Sequence, residues 1–230
     1  MAMAGDEITA QKRRIRKTVD EALARLTPDG RRAASAALAV NLAGVPAVAE
    51  ARTLMAFLSL PVEIDTWPVI RWAWERKKRV AIPRIEPAPD ADRTRFDRMD
   101  MVAVLLEMAD VAEVSAHPQV RPGPLGILEA PQAPLISPGR IDVVLLPCQA
   151  VDRRGNRLGK GGGFYDRFLA RADVRATRIA VGFRRQVLDE VPVADHDQPV
   201  DMVVTDGEVL VFERHDPLEG RPGECLMPNA

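Results

Sequence analysis

Hydrophobic residues recur at helical spacing in the first part of the chain. Between residues 8 and 26 they lie three or four positions apart, which predicts an amphipathic helix with Thr9 as its N-cap. A second, alanine-rich helix is predicted over residues 29–42, with Thr27 as its cap and Pro28 in its first turn. The chain is therefore expected to begin with two helices.

Short apolar runs follow, and each is predicted to form a strand. These runs cover residues 52–60, 79–85, 141–147, 177–183, 201–205 and 209–212. Helices are predicted between them, at residues 68–77 and from residue 164 onward. This alternation is typical of an α/β fold with a mostly parallel sheet, flanked by helices in an open three-layer architecture. We predict a single domain over residues 1–213 and a disordered tail over residues 214–230.

Two stretches do not fit this alternation. Residues 101–111 are apolar, and their pattern is compatible with a strand or a helix. Residues 118–139 are punctuated by proline and glycine, which predicts a long irregular connection of a kind that is often functional. His117, just before it, is predicted to be an exposed loop residue. The chain's three tryptophans are predicted to be core residues.

Composition limits the classes of partner. The 230 residues carry 32 Lys and Arg against 33 Asp and Glu, a net charge of -1, so no overall field attracts nucleic acid or an anionic membrane. Two cysteines without a CxxC spacing do not indicate a disulfide framework. No apolar run approaches the roughly 20 residues of a membrane span, and the N-terminus lacks the apolar core of a signal peptide. We expect a cytoplasmic monomer.

The densest glycine cluster lies between the predicted strand at 141–147 and the predicted helix after Gly163. Glycine lets a backbone approach an anion, and the same loop carries basic residues, namely Arg153, Arg154, Arg157 and Lys160. The spacing matches neither the Walker pattern nor the dinucleotide fingerprint. From the residues alone, an anion-binding loop and a solvated glycine-rich turn both stay open.

Charged residues elsewhere also allow two interpretations. Glu63 and Asp65 follow a predicted strand, where ligands bind in open α/β sheets, but Asp65 or Thr66 could instead cap the next helix, an interpretation at least as good for Thr66. The basic residues 12–17 could bind a ligand or form a solvated helix face. Residues 195–197, Asp-His-Asp, could form a polar turn, and too few histidines accompany them for a zinc site.

Residues 157–167, RLGKGGGFYDR, resemble the RLGxGxGYYDR signature of the 5-formyltetrahydrofolate cyclo-ligase family, also called methenyltetrahydrofolate synthetase. Supporting similarities occur in the same order along the chain, at residues 12–16, 63–66, 126–131, 191–197 and 201–205. Two positions depart from the family pattern. Phe164 replaces a tyrosine, and Ala130 interrupts a Glu-Pro pair.

The resemblance implies that the chain uses ATP and Mg²⁺ to convert 5-formyltetrahydrofolate to 5,10-methenyltetrahydrofolate, with release of ADP and phosphate, through phosphorylation of the formyl oxygen. The implied ATP-binding residues are Lys12, Arg16, Arg157, Gly159, Lys160, Gly161, Gly162, Gly163, Phe164 and Tyr165. The implied folate-binding residues are Glu63, Asp65 and Tyr165, the implied Mg²⁺ ligands are Asp166 and Asp197, and the implied catalytic residues are Tyr165 and Lys160. The alternative is a non-catalytic nucleotide- or folate-binding protein of the same fold.

Overall fold

The fold is described from a computed structural model that covers residues 2–87, 99–123 and 127–212. Its α-helices are α1 (Ala2–Ala24), α2 (Pro28–Ala43), α3 (Pro46–Glu50), α4 (Trp67–Glu75) and α5 (Phe164–Leu169). Its strands are β1 (Thr53–Met55), β2 (Arg79–Pro87), β3 (Met99–Leu106), β4 (Arg121–Pro122), β5 (Leu128–Glu129), β6 (Val143–Pro147), β7 (Ala150–Asp152), β8 (Arg157–Leu158), β9 (Thr177–Gly182), β10 (Val187–Leu188), β11 (Met202–Thr205) and β12 (Val209–Val211). The predicted tail at residues 214–230 lies outside the described residues.

A seven-stranded sheet with the order β12-β11-β9-β6-β1-β2-β3 forms the centre of the fold. Its five inner strands pair in parallel, and β3 and β12 are added antiparallel at the two edges. Apolar side chains form two buried clusters, one including residues of α2 and α4 and the other including residues of α5. The predicted α/β fold with a mostly parallel sheet is therefore confirmed. None of the helices in the described ranges is long and apolar enough to cross a membrane.

The two N-terminal helices are present, but only one predicted cap is correct. Thr27 has extended backbone angles, and its hydroxyl accepts the amide hydrogen of Gly30 at 3.1 Å, with Pro28 in the first turn. Thr9 does not cap α1, because the helix already begins at Ala2. The preceding Ala, Met and Glu residues favour helix, so the pattern of apolar residues underestimated its length.

Strand β1 is shorter than the predicted run at residues 52–60. After Met55, side chains form hydrogen bonds with backbone groups that a longer strand would need for pairing. The Thr66 hydroxyl donates to the carbonyl of Phe57 at 2.5 Å, and a Glu63 carboxylate oxygen accepts the amide hydrogen of Leu60 at 2.8 Å. These bonds turn the chain and hold Glu63 near the end of the strand.

The stretches that the sequence left open or misassigned pack beside β2. Residues 101–111 mostly form β3, antiparallel to β2. Part of the expected irregular connection forms a pair between β4 and β5, while residues 124–126 lie outside the described ranges. The exposed location predicted for His117 is wrong, since it is only 1% exposed and stacks on Trp74. Trp67 and Trp74 are buried as predicted, whereas Trp72 is only half-buried.

Helix α4 ends in a Schellman arrangement with a lysine at the position that glycine usually takes. Lys77 has a φ of 59°, and its amide donates to Trp74 while that of Lys78 donates to Ala73. Left-handed backbone costs a non-glycine residue free energy, and the Lys77 side chain is exposed.

Replacing Lys77 with glycine should therefore stabilise the fold. We expect Lys77→Gly to raise the free energy of unfolding by roughly 0.5–1 kcal/mol, since relieved strain outweighs the greater freedom of the unfolded chain. Glu75→Gly, two residues earlier in right-handed helix, should lower it by about 1 kcal/mol. Urea unfolding of both variants measures the difference, and equal destabilisation by both would contradict the assignment.

Candidate functional site

A cavity of about 670 Å³ lies beside α1, β2 and the glycine-rich segment before α5. Its charged and polar lining includes Lys12, Arg16, Glu63, Glu129, Arg157, Lys160, Tyr165, Asp166 and Asp197. Its apolar lining includes Phe57, Leu58, Leu60, Pro83, Ile85, Met101, Ile127 and Leu128. The fold thus brings all but one of the site residues implied by the resemblance to a single cavity.

A hairpin of β7 and β8 separates strand β6 from the glycines. Asp152, fully buried, holds the hairpin turn by accepting hydrogen bonds from the amides of Arg154 and Asn156 at 2.9 Å. Arg153 lies 3.3 Å from Glu208, and Arg154 lies 3.9 Å from Glu190. Neither arginine lines the cavity, so the expectation that both belong to the anion-binding loop is wrong.

The glycine loop, residues 159–163, approaches helix α1 closely. Gly161 and Gly163 have φ values of 104° and 65°, which only glycine adopts without strain. Arg16 donates from Nε to the carbonyl of Gly159 at 2.9 Å. A Cβ on Gly161 would lie 3.5 Å from the Arg16 guanidinium. The loop is therefore fixed against a cation, as a phosphate cradle requires.

Four cationic side chains line the cavity, and each is held by a specific partner. Lys12 forms an ion pair with Asp197. Arg157 has a side chain that is 2% exposed, and it donates to Asp166 at 2.9 Å and to the carbonyl of Pro147 at 3.2 Å. Burial lowers the pKa of Arg16, and the negative charge of Asp197 opposes this shift. Lys12 and Arg157 are thus held in place by largely buried partners, whereas the Lys160 side chain is 47% exposed.

The ion pair between Lys160 and Glu63 joins the glycine loop to the segment after β1. The Lys160 ammonium lies 2.8 Å from one Glu63 carboxylate oxygen, while the other accepts the Leu60 amide. A residue implied in ATP binding therefore contacts one implied in folate binding. The two implied binding regions are neighbours in space.

Tyr165 lines the cavity with a hydroxyl group that is buried and has no hydrogen-bond partner among the described residues. Burial raises its pKa far above the ordinary value, and Glu63 adds to this effect while Arg157 opposes it. The hydroxyl therefore keeps its proton and can act as a hydrogen-bond donor. Because Tyr165 lines the cavity, a ligand bound there can supply an acceptor for this hydroxyl.

Asp166 and Asp197 each use one carboxylate oxygen for hydrogen bonds to neighbouring groups, and Oδ1 of Asp197 lies 3.7 Å from Nε2 of His196. Asp166 accepts from Arg157 and from the amide of Gln198, both through Oδ1. Asp197 accepts from Lys12 and from the amide of Ala194 through Oδ2. The described residues contain no group of three or more His, Cys, Asp or Glu side chains that could hold a metal ion alone. Two carboxylates completed by phosphate and water suit Mg²⁺, so these residues fit that ion.

Asp65 is the implied site residue that the fold does not bring to the cavity. Its side chain is exposed, and Oδ1 accepts the amide hydrogen of Trp67 at 2.8 Å, which caps α4. The sequence analysis missed Glu129, which is 7% exposed and accepts the amide hydrogen of Ile85 at 3.1 Å. Its signal in the sequence was its place in the 126–131 similarity, as the acid of the interrupted Glu-Pro pair. Cys148 is buried, which raises its pKa to about 12 and leaves an inert thiol.

Comparisons with known proteins agree with this arrangement. Residues 8–206 match the model of the 5-formyltetrahydrofolate cyclo-ligase family. The Escherichia coli 5-formyltetrahydrofolate cyclo-ligase is 30% identical over 197 residues, covering 80% of this chain and 94% of that protein. The mouse 5-formyltetrahydrofolate cyclo-ligase is 27% identical over 211 residues, covering 88% of this chain and 97% of that protein.

A solved structure shows the same fold. The Aquifex aeolicus 5,10-methenyltetrahydrofolate synthetase superposes with a TM-score of 0.71 at 24% identity, covering 93% of this chain and 96% of that one. The sequence resemblance, the family match and the shared fold are all in agreement. The chain therefore belongs to the 5-formyltetrahydrofolate cyclo-ligase family and is an enzyme of the ligase class.

Proposed function

We propose that this enzyme uses ATP and Mg²⁺ to convert 5-formyltetrahydrofolate to 5,10-methenyltetrahydrofolate, releasing ADP and phosphate. The observation that carries the proposal is the composition of the cavity. A cationic glycine loop and a largely apolar wall with carboxylates face one cavity, which is also lined by Tyr165, whose hydroxyl has no hydrogen-bond partner in the described ranges. Such a site suits a polyanion beside a flat, mostly uncharged ring.

The glycine loop and the four cations form the ATP end of the site. Lys12, Arg16, Arg157 and Lys160 offset the charge of the triphosphate. Phosphoryl transfer depends chiefly on alignment and charge neutralisation, so preset cations serve it directly. Asp166 and Asp197 would hold Mg²⁺, which would supply further neutralisation of the phosphate oxygens when bound.

The proposed reaction begins at the formyl oxygen, which attacks the γ-phosphorus as the bond to ADP breaks. The resulting imidate-like phosphate carries a good leaving group on the former formyl carbon. The amine at the 10-position then attacks this carbon and loses its proton, and the carbon–oxygen bond breaks. Phosphate leaves with the formyl oxygen, and the methenyl bridge closes the ring.

Tyr165 and Lys160 are the proposed catalytic residues. The raised pKa of Tyr165 keeps its hydroxyl protonated, so we assign it as a donor to oxygen atoms that gain charge during transfer. Lys160 is paired with Glu63 and is 47% exposed, so its ammonium can turn toward phosphate. Glu63 then becomes available for the polar groups of the folate. The cytoplasmic location and monomeric state stay predictions.

An absorbance assay tests the proposal. Purified protein mixed with 5-formyltetrahydrofolate, ATP and MgCl₂ should form the methenyl product, and omission of either substrate should abolish it. Lys12→Ala should raise the KM for ATP about tenfold or more, because it removes a charged contact to phosphate. Lys17→Ala, on the exposed face of the same helix, is the matched control and should leave KM unchanged.

Two results would contradict this assignment. Binding of ATP and 5-formyltetrahydrofolate without any methenyl product would instead support the non-catalytic binding protein. Equal KM values for ATP in the Lys12 and Lys17 variants would show that Lys12 of helix α1 does not contribute to ATP binding.

The Tyr165→Phe substitution should lower the activity without lowering the stability of the fold. Loss of the hydroxyl should lower kcat about 100-fold, as expected for one transition-state donor, while the free energy of unfolding stays equal or rises by up to about 1 kcal/mol. Thr53 also has a buried hydroxyl without a partner, but lies outside the cavity lining. Thr53→Val should therefore stabilise the fold similarly and leave kcat unchanged.

Kinetic assays and urea unfolding of both variants provide the two measurements. A destabilised Tyr165→Phe protein with normal kcat would show a purely structural role for the hydroxyl.

A further inference from the structure

Glu129 places a carboxylate in the largely apolar part of the cavity. It lies on β5, which packs beside β2, and its apolar neighbours in the cavity lining are Ile85, Ile127 and Leu128. One oxygen, Oε1, accepts the Ile85 amide at 3.1 Å. The other, Oε2, has no hydrogen bond in the described part of the chain. This oxygen packs against Gly123, where a Cβ would come within 2.8 Å of it.

The nearby arginine does not satisfy this carboxylate. Arg84 donates to Glu86 through Nε and Nη2 at 3.0 and 2.5 Å. Its remaining nitrogen, Nη1, donates to the carbonyls of Pro131 and Ala133 at 3.0 and 3.1 Å. All three nitrogens are therefore committed to other groups. Burial raises the pKa of Glu129, the Ile85 amide and the charge of Arg84 oppose this shift, and the charge of Glu86 adds to it.

Glu129 is 7% exposed and lines the cavity, so a ligand bound there can supply hydrogen-bond donors to this carboxylate. Like charge excludes the triphosphate from Glu129, and it also excludes the carboxylates of the glutamate tail of a folate. The pyrimidine edge of the reduced pteridine is uncharged and carries an adjacent N–H and amino group. One of these donors can bond to Oε2, and the other can share Oε1 with the Ile85 amide, because a carboxylate oxygen accepts more than one hydrogen bond.

We propose that Glu129 binds the amino-pyrimidine edge of the substrate and so positions the pteridine ring in the apolar part of the cavity. This proposal rests on the proposed function. It assigns the role of second folate-binding carboxylate to Glu129, since Asp65 caps α4 instead. Glu63 and Glu129 would then contact different parts of the same ligand.

A double-mutant cycle tests the contact by measuring how tightly the wild-type and variant proteins bind the natural ligand and a modified ligand. The probes are 5-formyltetrahydrofolate and its analogue with a methyl group in place of the 2-amino group, and Kd is measured for each by calorimetry. The wild-type protein should bind the amino form about 10- to 100-fold more tightly, as expected for a hydrogen bond to a charged group. In Glu129→Gln this preference should shrink at least fivefold, while Kd for ATP stays within twofold of the wild-type value.

Glu86→Gln provides the matched control, because Glu86 is a neighbouring carboxylate on β2 that does not line the cavity. It should keep the full preference for the amino form. An undiminished preference in Glu129→Gln would overturn the proposal. Equal binding of both probes by the wild-type protein would also overturn it, and this second measurement does not depend on whether the variant folds.

The assay also separates this proposal from the proposed function. If the wild-type protein makes methenyl product but the Glu129→Gln preference is undiminished, only the Glu129 contact is wrong. If the wild-type protein neither binds 5-formyltetrahydrofolate nor forms product, both proposals are overturned.

Discussion

The ion pair between Arg157 and Asp166 holds the site together. Arg157 is the first residue of the short strand β8. Its guanidinium is nearly inaccessible and also donates a hydrogen bond to the carbonyl of Pro147 at the end of β6. Asp166 in turn accepts the amide of Gln198, beside Asp197. A buried charge that loses its partner typically costs about 3–5 kcal/mol, so these elements must stay together. Strand β6, strand β8, helix α5 and the late segment with Asp197 are thus connected through these two side chains.

The cavity divides into two chemical parts. From helix α1, Arg16 donates to the glycine loop and Lys12 pairs with Asp197, and both side chains line the same part of the cavity. The other part is apolar and contains Glu129. Glu63 connects the two through its bond to Lys160. Under the proposed function, this charge separation favours the triphosphate in the cationic part and an uncharged ring in the apolar part.

The sequence predicted features that depend on local pattern and missed those that depend on packing. The helix cap at Thr27 and the parallel strand pattern follow from neighbouring residues, and both were correct. The roles of Asp65 and Glu129 depend on how far the chain turns after β1 and on the pairing of β4 with β5. His117 is buried because Trp74 stacks on it and the carbonyl of Glu107 bonds it, and spacing does not reveal either contact.

The central claim is that the formyl oxygen becomes part of the released phosphate. Substrate labelled with a heavy oxygen isotope in the formyl group tests this most directly, with mass spectrometry of the phosphate after a single turnover. Phosphorylation of the formyl oxygen predicts that the label appears in phosphate, because that oxygen bonds to phosphorus before it leaves. Unlabelled phosphate, formed together with methenyl product, would contradict the proposed mechanism.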